Sequence, residues 1–377
     1  MKYLLITIFL FLPFSGKAQN GIIKIDIDDV EVGNIPISKF VSTIEYVPLE
    51  LTTNSALDEA VVYLTDKYIV TIEMFKKICL FDRKEGHFIR NVSQKGNGPD
   101  DYIYPILFNA MDKENNLLFV ETWNVWRGID IETNKCVKEI IKPRSHYSES
   151  QKYQNYIRNP YPYGADSYIG FANSGKQSDY YELYVFNSKG VVLKTINNGG
   201  EALPWNGRET LSDYGLFQEF EGNLLFKAAA QNDTVYKVTE NSLEPSIVLD
   251  LHKERVKDAY VGCGDVMQTK RYVFFNCTMH KGESKMFSYC YDKIADKLYA
   301  CEMSTDHSGF VNDIDGLGTL FMRQLDGNKL VGLLKPEELL EYMATHKDMK
   351  LSPRGKKILE NLQFDDNPIV VIATLKE

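Results

Sequence analysis

Aromatic and ionisable side chains crowd into a few short stretches of this 377-residue chain. Trp123 and Trp126 flank a turn beside Arg127. Trp205 lies near Arg208 in a Gly/Pro/Asn setting, and Tyr153, Tyr156, Tyr161 and Tyr163 fall within one long polar insertion, His146–Asp166. Rigid rings with a polar rim suit sugar rings and peptides alike, because they offer contact area at low entropic cost. Long insertions are also where function tends to sit on a rigid scaffold. The candidate ligand-binding residues are therefore Trp123, Trp126, Arg127, Trp205, Arg208, Tyr161 and Tyr163. The competing use for such rings is packing between sheets.

Local catalytic signatures fail one by one. Gly170–Gln177 mimics a phosphate loop, but Gln177 stands where a Ser or Thr would hold magnesium, and no helix follows to cradle the phosphate. Asn312-Asp313-Ile314-Asp315-Gly316 opens like a calcium loop, yet its third acid is missing and position 12 is Gln324 instead of Glu. The histidines at 87, 146, 252, 280, 307 and 346 form no HxH or HExxH pair. There is no G-x-S-x-G nucleophile elbow and no CxxC. Paired carboxylates for glycoside hydrolysis are spatial and leave no sequence mark. The catalytic residues stay unknown and the expected cofactor is none, with a divalent metal held by acids of several strands as the alternative.

Six cysteines allow disulfides if the chain is exported. Cys263, Cys277, Cys290 and Cys301 fall in one repeat unit, and a turn at Lys281–Ser284 predicts Cys277 near Cys290, two residues out of register. A bridge closing that loop would contribute about 3 kcal/mol in the chain-entropy view. The alternative is buried thiols acting as small apolar groups.

The elements that must position these residues are short strands. A strand pattern restarts about every 44–55 residues, some six times between Val61 and Gly332. The first unit reads Val61–Leu64, Tyr68–Ile72, Ile78–Phe81 and Phe88–Val92; the second reads Ile106–Ala110, Leu117–Val120, Gly128–Ile131 and Val137–Ile141. Four strands in about 45 residues is a β-propeller blade. Later units hold Tyr168–Ala172, Tyr181–Asn187 and Val191–Ile196, then Phe217–Leu249, then Asp265–Glu302, and a sixth opens near Phe310. Before them, Gly21–Val30 and Ile44–Leu51 read as strands, with Pro48 demoting the second to an edge. After them the period turns helical at Lys335–Met349 and Pro353–Leu362, and Ile369–Leu375 is a terminal strand. That strand is expected to complete a blade shared with N-terminal residues, which removes a free sheet edge.

Residues 1–18 read as a secretory signal: Lys2, an apolar run Leu4–Phe14, then Gly16-Lys17-Ala18 with cleavage after Ala18. The run is too short to span a bilayer, and no cysteine follows it to carry a lipid. Residues 19–377 are expected to form one domain, with the helical excursion at about 335–362 and the closing strand at about 368–375. The whole-chain charge of −9 and the lack of a Lys/Arg cluster argue against nucleic acid and anionic membrane surfaces.

Three stretches taken together resemble a known family: Ile44-Glu45-Tyr46-Val47-Pro48-Leu49-Glu50, then Gly96-Asn97-Gly98-Pro99-Asp100-Asp101-Tyr102, then Asp365-Asp366-Asn367-Pro368. In this order the chain is similar to the exported six-bladed β-propellers of Bacteroidetes, distantly similar to NHL-repeat propellers. Gly96, Gly98, Pro99 and Tyr102 match that family's G-x-G-P-x-E-Y loop, and Asp101 stands where Glu is usual. The resemblance implies a fold and a compartment, and no established activity. Physically, Gly96 and Gly98 permit positive φ and Pro99 stiffens the reversal, so Gly96, Gly98, Pro99, Asp101 and Tyr102 are expected to be a structural loop between two blades.

The expectation is an all-β, six-bladed propeller with a short C-terminal helical excursion before the closing strand. It would be periplasmic or secreted, without membrane insertion, and leaning away from catalysis. It would bind a glycan-derived or peptide ligand or another exported protein. The alternative is a lyase or hydrolase acting on carbohydrate or lactone through acids at the channel mouth.

Overall fold

In the computed structural model, the described residues are 21–106, 110–143, 157–171, 182–199, 215–228, 233–251, 260–281, 283–303 and 309–377. They form a six-bladed β-propeller. Blade one is Ala60–Leu64, Tyr68–Glu73, Ile78–Asp82 and Phe88–Asn91; blade three is Arg158–Gly164, Ser167–Phe171, Glu182–Asn187 and Val192–Asn197. Blade four runs from Gly215 to Asp250 and blade five from Tyr260 to Met303. Blade two pairs Leu117–Glu121, Val125–Asp130 and Lys135–Ile141, and its innermost strand is split into Tyr104–Pro105 and Met111–Asp112.

Burial explains why these sequences suit their positions. The second strand of blade one, Tyr68–Glu73, is buried on nearly every residue because sheets cover both of its faces. The outermost strand of blade two, Lys135–Ile141, alternates exposed residues with half-buried ones and the buried Ile140. Large rings fill the wedge between neighbouring blades. Trp126, Phe119, Tyr168, Tyr184 and Phe186 are all buried together between blades two and three. Each aromatic of this kind removes 150–250 Å² from water, roughly.

Closure follows the expected plan. Ile369–Leu375 pairs antiparallel with Lys329–Leu334 on one side and with Val41–Pro48 on the other, so the N-terminal segment supplies the outermost strand of blade six. Pro48 lies on that outer edge, where its missing N–H costs no ladder bond. The expected single strand over Gly21–Val30 is instead two, Ile23–Asp26 and Val30–Val32. Each adds in parallel to the outer strand of a blade, the fourth and the fifth.

Three boundaries differ from the sequence reading. Blade six opens at Met322, and Phe310–Val311 pairs with Thr319–Leu320 as a separate ribbon. The innermost strand of blade three is Arg158–Gly164, inside what reads as a polar insertion; it pairs with Ser167–Phe171, which a Tyr/Pro/Asn-rich string does not advertise. The innermost strand of blade two is displaced from Ile106–Ala110 to the two flanking pieces.

The helical excursion joins the second and third strands of blade six. Helix α1, Pro336–Thr345, starts on a proline with Glu337 and Glu338 in its first turn; α2, Pro353–Glu360, is capped by Ser352, whose Oγ accepts from Gly355 N at 3.0 Å. Buried Leu339 anchors α1 in the core shared by blades five and six. Asp315 fastens α2: it is 3% exposed and accepts from Ser352 Oγ at 2.6 Å, Arg354 Nε at 3.2 Å and Tyr46 OH at 3.1 Å. Asp313 accepts from Ser38 N and Oγ. Both acids of the calcium-like stretch are thus taken up by protein donors.

Because strands alternate in direction, the turn between the second and third strands of each blade opens on the same face of the ring as the crossings between blades. That face carries the helices and the site described next.

Candidate functional site

Two successive blades place an aromatic residue at the same turn. Phe75 sits between the second and third strands of blade one, and Trp123 between those of blade two; they are 62% and 68% exposed. Tyr104, entering blade two, lies between them. Its ring meets Phe75 at 6.1 Å and 86°, and Trp123 at 6.3 Å and 88°. These are edge-to-face contacts, which fix ring orientation while leaving ring faces open. Lys95 Nζ stands 5.9 Å from the Tyr104 centroid, and exposed Met74 extends the apolar patch.

The backbone of Phe75 is costly. Its φ is +58°, whereas among the described residues the other non-glycine ones there are Ser93, Asn116, Asn134, Glu221 and Asp296, all polar. A bulky side chain in this region costs roughly 1–2 kcal/mol, and such outliers gather at binding sites. The turn is held by Glu73 N donating to Lys77 O at 2.9 Å and Lys76 N donating to Glu73 O at 3.2 Å.

A shallow cavity of about 460 Å³ adjoins the same turn, lined by Ala56, Leu57, Asp58, Glu73, Lys76 and Lys77. Glu73 is 3% exposed and accepts from Lys76 Nζ at 2.6 Å and Asp58 N at 3.3 Å. The bond from Glu73 holds the Lys76 ammonium above its usual pKa. Lys335 reaches toward Asp58 and Glu59, at 3.6 Å each. The cavity therefore offers donors and acceptors side by side.

The sequence-predicted residues separate. Trp123 is in the patch. Trp126 is 1% exposed, tilted 33° against Phe186 at 5.8 Å, with Lys142 Nζ 5.6 Å above its ring; it presents no ring face to a ligand. Arg127 serves the neighbouring loop: its Nη1 donates to Gly98 O at 2.6 Å and Asp101 O at 2.8 Å, and its Nε to Glu139 at 3.0 Å. Tyr161 and Tyr163 belong to the innermost strand of blade three and pack into the core it shares with blade four. Tyr161 lies 5.4 Å from Phe217, and burial together with Glu219 pushes its phenol above the ordinary range. Trp205 and Arg208 lie outside the described residues. Phe75 and Tyr104 were not singled out from sequence. The signal was present, since Glu73-Met74-Phe75-Lys76-Lys77 and Thr122-Trp123-Asn124 occupy the same place in successive repeat units.

The Gly96–Tyr102 loop is bonded within itself, but for a different reason than expected. Neither Gly96 nor Gly98 has positive φ. Both are needed because the Asp101 carboxylate comes so close: a Cβ on Gly96 would lie 2.3 Å from Asp101 Oδ2, and one on Gly98 at 2.7 Å. Asp101 accepts from Gly98 N at 2.7 Å, and Asp100 accepts from Cys136 N at 2.8 Å, tying the loop to blade two. Tyr102 is buried beneath it.

Among the described residues, no three His, Cys, Asp or Glu side chains gather in a way that would hold a metal ion. On the innermost strand of blade five, burial raises the Asp265 carboxyl while the charges of Lys227 and Arg323 oppose it. Across the other face, Lys113 of blade two pairs with Asp326 of blade six at 2.7 Å.

With this geometry in place, comparison with known proteins decides the family. Residues 22–374 match a domain of unknown function, DUF4934. The chain belongs to that family. A Bacteroides fragilis protein inferred to be exported is similar in structure, with a TM-score of 0.66 at 15% identity, covering 94% of this chain and 100% of that one. The structure of U3-55K covers 88% and 98% with a TM-score of 0.44 at 10% identity. The β-propeller domain of Cps50 (Swd1) from Myceliophteria thermophila covers 66% and 87% at 0.37 and 10%. At these identities the likeness concerns fold alone. No curated protein matches the chain. Among the described residues, no helix is long and apolar enough to cross a membrane.

Proposed function

We propose that this DUF4934 member is an exported, non-catalytic binding propeller whose Phe75–Tyr104–Trp123 rim takes a glycan-derived ligand. The observation that carries the reading is the run of exposed rings on one face, Phe75 and Trp123 each meeting Tyr104 edge to face, with Phe75 held in a costly backbone conformation. The adjoining cavity favours a sugar over a peptide. Asp58, Glu73, Lys76 and Lys77 mix acceptors and donors in one small space, which matches hydroxyls that both give and accept hydrogen bonds. The rings would stack on the C–H faces of the sugar. Export to the periplasm or beyond agrees with the signal-like first 18 residues and with the similar Bacteroides protein. The wider reading places the family among the exported Bacteroidetes propellers with distant NHL likeness.

The test is native mass spectrometry of the chain from Gln19 against a panel of defined oligosaccharides and peptides, wild type beside Trp123→Ala and Tyr104→Ala. Oligosaccharide adducts lost in both variants are expected. Peptide adducts alone would move the ligand class, and co-purification with another exported protein would make the rim a protein interface. An oligosaccharide returned at altered mass would overturn the non-catalytic reading in favour of a lyase or hydrolase.

A further inference from the structure

Blade five brings two cysteines face to face. In the antiparallel ladder between Tyr260–Gln268 and Tyr272–Lys281, Cys263 is the direct partner of Cys277. Directly opposed residues point to the same side of the sheet. Their Cα atoms lie about 4.5 or 5.5 Å apart according to the type of pair, inside the window of about 4.4–6.8 Å that a disulfide spans. Both residues are sealed, at 0% and 1% exposure. Lys227 Nζ pins the strand by donating to Cys263 O at 2.9 Å.

No other cysteine has such a partner. Cys290 is opposed by Phe274 and Tyr299, Cys301 by Ser288, Cys79 by Thr71 and Asn91, and Cys136 by Ile129. The expected neighbourhood of Cys277 and Cys290 is wrong in register: Phe287 is the residue opposite Cys277, three positions before Cys290, so the two side chains leave opposite faces of the sheet. In the structure all six cysteines are thiols.

We propose that Cys263 and Cys277 are a disulfide site, oxidised as the exported chain folds. The proposal rests on export, because disulfide donors act in that compartment. One thiolate attacks the S–S bond of an oxidised donor, forming a mixed disulfide and releasing one donor thiolate. The second cysteine thiolate then displaces the other donor sulfur. The two cysteines lose two protons and two electrons, and the donor leaves as a dithiol. The folded sheet shields both sulfurs, so the exchange precedes closure of blade five, and the finished bond is closed to reductants.

The experiment refolds the reduced full-length chain with oxidised glutathione, then unfolds it in guanidinium with an alkylating reagent and maps the peptides. Four alkylated cysteines and one linked pair, Cys263 with Cys277, are expected, with six alkylated after reduction. The linked chain should have an unfolding constant about a hundredfold smaller than the reduced chain, as closing a loop of some 15 residues implies. Six alkylated cysteines before reduction, or a link through Cys290 or Cys301, would overturn the proposal. The Cys263→Ser/Cys277→Ser variant should show four alkylated cysteines with or without reductant; a link in it would also count against the pair. Cell fractionation tests export separately, so either reading fails on its own.

Discussion

At Gly96 a single hydrogen decides whether the loop closes. The Asp101 carboxylate occupies the space a side chain would need, so Gly96→Ala should destabilise the fold by about 1–3 kcal/mol in chemical denaturation. The clash is specific to one partner, which gives the effect a signature. In the double variant with Asp101→Gly the cost of the alanine should largely vanish, a coupling that equilibrium unfolding of the four proteins measures. The motif was legible in sequence, but its cause was not: glycine suggests positive φ, and only three-dimensional contact reveals a carboxylate in the way. Asp315 is the second decisive residue. Burial pushes its carboxyl up, but the bonds from Arg354 and Ser352 outweigh that and hold it below the usual carboxylate range. Its stabilising contribution is therefore fully present above the unfolded value near pH 4 and is lost as pH falls through the lower folded value. Asp315→Asn should be less stable than wild type by about 2–3 kcal/mol at pH 7, with the gap narrowing below about pH 4. A gap that stays constant to pH 2 would contradict the ion pair as its source.

Among the elements, the turns of blades one and two hold the proposed site, and their strands are indifferent to what the turns carry. Phe75 and Trp123 are 62% and 68% exposed at the surface, so replacing either with alanine should leave thermal stability nearly unchanged while removing the proposed binding. Phe75→Gly should even gain stability by about 1 kcal/mol, since glycine accepts positive φ without strain; a loss in melting temperature would argue that the ring is structural. Trp126 is the contrast. It lies three residues from Trp123 and fills the seam between blades, so Trp126→Ala should cost about 3–5 kcal/mol. Sequence composition could not separate the two tryptophans, because both sit in one short aromatic stretch. Strand phase separates them, one in the turn and the other on a strand buried by the next blade.

For the whole molecule, repeat spacing and alternation were enough to read six blades, and the C-terminal strand was enough to predict how the ring closes. What escaped was the innermost strand of blade three and the start of blade six, where polar composition and an added ribbon hide strands that packing makes. Ring closure itself makes a prediction. Deleting residues 368–377 removes the strand between Lys329–Leu334 and Val41–Pro48, exposing two sheet edges at once. The truncated chain should lose cooperative unfolding by circular dichroism and aggregate, and a monomer with a sharp melting transition would contradict the closure. In the proposed function the ring's part is to set two neighbouring turns at a fixed spacing and so bring separate aromatic residues onto one face. The most direct measurement of that claim is binding of the oligosaccharide panel to wild type and to Tyr104→Ala, the variant that removes the ring joining Phe75 to Trp123. Saturable binding by wild type, weakened tenfold or more in the folded variant, is the predicted result; equal affinity in the two proteins would contradict the assignment of this face.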